Sequence, residues 1–270
     1  MSDWGQGVVN NTIEWGRGST NNTIDWGSVY ADSPSGDTAL KTSGFANVYS
    51  TEYDGVDDYV DFGSSSTLND GGQFSFSFWI KAPSTGSNFH RDYLFSGDPS
   101  SNLNRNWNID TNDFVWNNIN NNKKVLSAGV LDDAWHHILV IFNPSGADQT
   151  IRCFTDGANE VNVTTDYRYK QVGGLYTGKL RYFGNNPNDA NGRQMVGKLD
   201  EVAFWNDDQS ANVSAIYNSG VVHNLNDLTS PPLSYIRFEE GSGTTATDSG
   251  TGGNNGTLIN GTAYSTDVPT

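Results

Sequence analysis

From Gln73 to Lys81 the chain reads QFSFSFWIK, with Phe74, Phe76, Phe78 and Ile80 on one side of an extended strand and Ser75, Ser77, Trp79 and Lys81 on the other. AWHHILVIFN (134–143) and TIRCFTDG (150–157) are two more apolar runs. The turn formers of NPSGADQ between them predict a hairpin. GKLDEVAFWN (197–206) is a further strand. Helical spacing occurs convincingly once, in QSANVSAIYNSG (209–220). There Val213, Ile216 and Tyr217 share a face, Ser210 is placed to cap the start, and Gly220 supplies a left-handed stop. DLTSPP (227–232) reads as a linker, and Leu233 to Phe238 as a strand before a glycine-rich tail.

The first residues behave differently. DWGQGVVNNTIEWGRGSTNNTIDWG returns an acidic residue plus Trp-Gly three times, placing Trp4, Trp15 and Trp26 eleven residues apart. Eleven residues would suit three helical turns, but glycines and asparagine pairs at nearly every turn exclude a helix. Short extended pieces alternating with Gly/Asn turns fit better, with Ile13 beside Trp15 and Ile24 beside Trp26. Such a face cannot bury itself over so few repeats. It is expected to anchor or oligomerise the chain, each tryptophan contributing on the order of a few kcal/mol once buried. The expected division is a repeat arm (1–37), a sandwich domain (38–222), and a linker with a strand-bearing tail (223–270).

Composition narrows the classes. Thirty glycines, a hydrophobic fraction of 35% and abundant Asn, Ser and Thr suit an all-β chain of strands and turns. A net charge of −16 repels phosphate backbones, so no nucleic-acid partner is expected. Neither a membrane span nor the basic and apolar regions of a signal peptide is legible. Cys153, the one cysteine, excludes an intrachain disulfide and reads as a buried inert thiol.

YDGVDDYVDF, FSFSFWIKA, LDDAWHHILVIFN, FTDG and GKLDEVAFWN followed by the helix stand here in one order. Over roughly residues 45–220 that order resembles the laminin G-like domains of the concanavalin A-like lectin/glucanase superfamily. The resemblance implies a two-sheet antiparallel jelly-roll sandwich with one short helix, carrying an extended N-terminal repeat arm. The tail SYIRFEEGSGTTATDSG is similar to the segment that often starts such domains, so it either supplies a sheet edge or docks as an appendage. The arrangement of repeat, domain and tail is similar to structural proteins of tailed bacteriophages.

The candidate chemistry is sparse. A glycosidase needs two carboxylates across one cleft, whereas Asp200 and Glu201 are adjacent on a strand and project to opposite faces. That pattern suggests a structural acid beside a solvated one and no enzyme. Parity aligns Asp200 with Val202 and Phe204, and Asp58 with Val60 and Phe62. A buried carboxylate must be hydrogen-bonded or bind a cation, so Asp58 and Asp200 are candidate ligands of a structural Ca²⁺, as the resemblance implies. The alternative is that each accepts backbone N–H groups. His136 and His137 cannot chelate one ion from adjacent strand positions.

The fold's inheritance suggests glycan binding, for which Trp107, Trp116, Asn185, Asn186 and Asp189 are the candidates, although Trp107 could face the core with Ile109. The resulting expectation is a non-enzymatic virion structural protein (capsid decoration, head-fibre or tail-associated), found in the virion and partnered by other virion proteins or itself. The alternatives are a calcium-assisted carbohydrate-binding adhesion module and, more weakly, a glycan hydrolase.

Overall fold

The computed structural model describes residues 45–63, 73–84, 91–97, 106–110, 112–117, 123–145, 148–166, 180–185, 187 and 194–270. The strands are β1 (Ser50–Asp54), β2 (Tyr59–Asp61), β3 (Phe74–Lys81), β4 (Arg91–Gly97), β5 (Asn106–Asp110), β6 (Asp113–Asn117), β7 (Lys123–Ser127) and β8 (His136–Ser145). They continue with β9 (Asp148–Thr155), β10 (Ala158–Asp166), β11 (Leu180–Phe183), β12 (Val196–Trp205), β13 (Ser234–Ile236), β14 (Thr245–Ala246), β15 (Gly256–Ile259) and β16 (Ala263–Ser265). One short helix, α1 (Val213–Tyr217), lies between 3₁₀ turns at Ser210–Asn212 and Asn218–Gly220, with another turn at Leu225–Asp227.

All pairings are antiparallel. Sheet A runs β10-β9-β8-β3-β12-β1-β16, with β13 also paired to β12; sheet B runs β14-β15-β2-β11-β4-β5-β6-β7. The described residues form an all-β, two-sheet antiparallel sandwich. Residues 47–270 form one compact unit. The predicted hairpin is β8–β9, in register from Ile138↔Thr155 to Ser145↔Asp148. The C-terminal tail supplies edges to both sheets, since β15 pairs β2 and β16 pairs β1.

Phe74, Phe76, Phe78 and Ile80 point between the sheets, as the alternation predicts, and pack with Phe95, Trp107, Phe114, Phe183 and Phe204. Edge-to-face contacts such as Phe76–Trp107 at 4.9 Å and Phe78–Phe95 at 5.0 Å lock these rings. The other face of β3 is buried as well, because the segment carrying α1 covers the outside of sheet A. Leu139, Ile141, Ala203, Trp205, Val213, Ile216, Leu225 and Tyr235 form that second core. Val213 and Ile216 face it as expected, while Tyr217 packs against Trp79 and His137. Ser210 does not cap the helix: α1 starts after Asn212 without a side-chain cap bond, and the Ser210 N–H donates to Asp208 Oδ1 at 2.8 Å in the turn that leads into the segment. Asn218, at φ 48°, makes the left-handed exit two residues before Gly220. Cys153 is fully buried and its thiol is pushed up by burial, an inert core group.

Candidate functional site

Two features outside the cores carry unspent polar chemistry: the acidic turn entering β2 and the outer face of sheet B. The turn follows from Asp-Gly in YDGVDD. Gly55 sits at φ +81° with Val196 so close that a Cβ would lie 2.3 Å from Val196 Cγ2. Asp54 Oδ1 accepts the Val56 N–H at 2.8 Å, and Asp58 Oδ2 accepts the Asp54 N–H at 3.0 Å. One carboxylate oxygen each from Asp54, Asp57 and Asp58 lie within 4.8 Å of one another.

Asp58 is 3% exposed, in phase with buried Val60 and Phe62 as parity predicts. Its Oδ1 has no hydrogen-bond partner among the described residues. Burial raises its pKa, opposed by the Asp54 N–H bond and reinforced by the Asp54 and Asp57 charges. An unsatisfied buried oxygen beside two further carboxylates is a donor set of the hard oxygen type that Ca²⁺ takes.

Sheet B presents Tyr59 and Asp61 outward on either side of core Val60. Arg181 grips Asp61 through two bonds, Nε to Oδ1 at 2.7 Å and a terminal nitrogen to Oδ2 at 3.0 Å. Its guanidinium lies 4.8 Å from the Tyr182 ring centroid, and Tyr182 meets Tyr59 edge to face at 5.7 Å. The row continues to Ser96 on β4, opposite Tyr182; Asn108, on the same face of β5, stands opposite Tyr93 further along. Asn108 is 2% exposed with its Oδ1 unpartnered among the described residues. Neither pattern nor motif singled out this row, because β2, β11 and the β4–β5 pair that supply it are far apart in the chain.

The expected glycan residues divide. Trp107 faces the central core at 3% exposure, against Phe74, Phe76 and Phe114, so it is not a sugar platform. Its neighbour Asn108, on the opposite side of β5, is the group that faces outward. Asn185 is buried with Oδ1 unpartnered, and its carbonyl accepts from Ser96 Oγ at 3.0 Å. Trp116 lies in β6 with its side chain outside the described residues, as are Asn186 and Asp189. The repeat residues Trp4, Ile13, Trp15, Ile24 and Trp26 also lie outside them.

Asp200 and Glu201 require two corrections. A bulge between Asp200 and Ala203 adds a residue to β12, so Asp200 is out of phase with Val202 and Phe204 and pairs with outward-facing Trp79. Glu201, at φ 49°, is not solvated but 2% exposed. It accepts bonds from the Tyr235 hydroxyl and from Arg237 Nε at 3.2 Å. Burial raises Glu201 to about 8 against the opposing pull of Arg237. Asp200 is likewise raised by burial and by Glu201, with Oδ1 accepting the Glu201 N–H at 2.9 Å. Both acids are buried, Asp200 at 0% and Glu201 at 2% exposure. Asp200 lies beyond the Thr51↔Leu199 pair, at the opposite end of the β1–β12 ladder from Asp54↔Val196, so the two expected cation ligands do not share a site. A small cavity adjoins Glu201, lined also by Trp79, His137, Ile216 and His223.

No curated protein matches the chain. Among solved structures, a protein of Bacteroides ovatus provisionally described as carbohydrate-binding is similar at 14% identity and TM-score 0.56, over 83% of this chain and 62% of that one. The present chain thus spans less than two thirds of that relative. A heptameric SAP-like pentraxin of Limulus polyphemus is similar at 14% identity and TM-score 0.52, over 82% of this chain and 96% of the pentraxin. A family model described as the concanavalin A-like lectin/glucanases superfamily matches residues 54–212, more than half of the chain. That span runs from the acidic turn to the start of the helical segment, and the chain belongs to this superfamily.

Proposed function

We propose that the domain is a non-catalytic carbohydrate-binding module, with the outer face of sheet B as the glycan surface and Ca²⁺ held at the acidic turn beside it. The observation that carries the reading is the row Tyr59, Asp61–Arg181 and Tyr182, with the buried amide oxygen of Asn108, unpartnered among the described residues, further along the same face. Sugar hydroxyls both donate and accept, so fixed planar carboxylate, guanidinium and amide groups match them, while a half-exposed ring such as Tyr59 can pack on the apolar face of a pyranose. Asp54, Asp57 and Asp58 would hold the ion, and Asp58 Oδ1 is the oxygen that fits it. Bound there, Ca²⁺ would neutralise the clustered charge and could offer open coordination positions to hydroxyl oxygens. The Bacteroides structure supports the reading through its fold.

A broad glycan array tests this. Binding that weakens in EDTA and is lost in Asn108→Ala is expected; silence on the array, with the protein folded, removes the reading.

The Trp-Gly repeat favours a second role as a virion structural protein displaying this module, with Trp4, Trp15 and Trp26 anchoring or oligomerising it. Deletion of residues 1–30 should then convert an oligomer to a monomer in light scattering, and the protein should be found in purified virus particles. An unchanged mass would argue against assembly through the arm.

A further inference from the structure

The link from β15 in sheet B to β16 in sheet A meets the acidic turn directly. β15 lies beside β2, with Leu258↔Val60 and Ile259↔Tyr59, and β16 lies beside β1, with Thr51↔Tyr264. Their connection at 260–262 therefore crosses the turn between β1 and β2. Asn260 Nδ2 donates to the Asp57 carbonyl at 3.2 Å, and Thr262 Oγ1 donates to the Tyr59 carbonyl at 3.1 Å. Between them Gly261 adopts φ +124°, and a Cβ built on it would stand 3.2 Å from Asp58 Oδ1. That oxygen is the buried, unpartnered one. The 260–262 turn thus holds the backbone on both sides of Asp58 and leaves the approach to its free oxygen clear by placing glycine there.

We propose that the 260–262 turn forms one wall of the cation position at Asp54, Asp57 and Asp58, so that Ca²⁺ binding and docking of the β15–β16 segment onto the two sheet edges are coupled. The proposal rests on the Ca²⁺ reading above. Coupling is reciprocal: whatever loosens the segment weakens the ion, and the ion tightens the segment by the same factor. Asn260 acts as a positioning residue through Asp57, and Gly261 acts by the absence of a side chain.

The test uses the full chain, with Ca²⁺ titrated by calorimetry and Tb³⁺ by luminescence. Asn260 is itself left-handed, at φ 62°, so Asn260→Gly preserves the backbone and removes only the amide anchor. It should weaken Ca²⁺ roughly three- to tenfold, the equivalent of one hydrogen bond, with the melting temperature in EDTA unchanged. Gly261→Ala, which sets a methyl group over Asp58 Oδ1, should weaken it further. In the wild type, Ca²⁺ should slow proteolysis within residues 256–270. Wild-type affinity in both variants, with tail cleavage indifferent to Ca²⁺, overturns the coupling while the cation reading survives. A folded wild type that binds neither ion overturns the cation reading itself, and the coupling with it.

Discussion

His136 and His137 are neighbours in sequence and are pushed in opposite directions. The His136 nitrogens face two carboxylates, Nδ1 at 2.8 Å from Asp156 Oδ2 and Nε2 at 3.2 Å from Asp132 Oδ1, and the Asp156 bond is the main cause of its raised pKa. His137 packs in the covered outer face of sheet A against Trp79 and Tyr217, and burial lowers it to about 4. For His136 the folded value exceeds the unfolded one, so its contribution is fully present below about 6.5 and fades as pH rises through the folded value. For His137 the folded value is depressed. The unfolded chain then binds the extra proton, and stability falls as pH drops from about 6.5 to 4, by on the order of 3 kcal/mol in full. NMR titration should find one imidazole titrating near 4 and another above its ordinary value; two near 6.5 would contradict both environments. His137→Gln should flatten the acid limb of a urea-midpoint profile and leave the His136 limb in place.

At the scale of the element, β12 shows where strand parity works and where it stops. Alternation placed Asp58 correctly, because the in-out alternation around β2 holds without a break from Asp58 through Phe62. It misplaced Asp200 because one inserted residue reverses the phase of everything before it. Nothing local marks that insertion: the groups satisfying Glu201 are Tyr235 and Arg237, 34 and 36 residues further along. The same limit hid the sheet B row, while Trp107, expected as a possible sugar platform, went to the core because β5 turns its apolar side inward. The bulge makes a sharp prediction. Glu201→Ala removes the acceptor shared by the Arg237 guanidinium and the Tyr235 hydroxyl, which keep Glu239 at 3.9 Å and the His223 carbonyl at 3.2 Å, and should cost roughly 1–3 kcal/mol. Glu201→Gln, which retains an acceptor, should cost less. Urea unfolding at constant slope measures both; an alanine variant as stable as the wild type would show that this ion pair does not hold β12 and β13 together.

The whole molecule is closed by its C-terminus. The strand at 234–236 was legible in SYIRF, but the pairing of the later tail with both sheets was not. Short Gly-rich strands carry almost no periodicity, and their partners are chosen by edges that exist only once the sandwich has formed. The closure ends in a charge clip. Asp267 Oδ2 accepts from Lys81 Nζ at 2.9 Å and Lys198 Nζ at 3.0 Å, and Oδ1 accepts from Trp135 Nε1 at 3.0 Å. Those donors reach from β3, β12 and the loop before β8, so one side chain ties the last residues across sheet A. Burial alone would raise the Asp267 pKa, but the Lys81, Trp135 and Lys198 bonds outweigh it and hold the carboxyl well below the usual range. With the folded value depressed, the clip is fully present above about pH 4 and is lost as pH falls through the folded value. The carboxylate is partly solvated, so Asp267→Asn should cost only about 1 kcal/mol. Because two of its three partners are ammonium groups, that difference should shrink between about 0.05 M and about 1 M salt, where the screening length falls several-fold. If Asp267→Asn matches the wild type at low salt, the tail is held by β15 and β16 pairing alone. If the loss is the same at both salt concentrations, the Trp135 hydrogen bond rather than the lysines carries the clip.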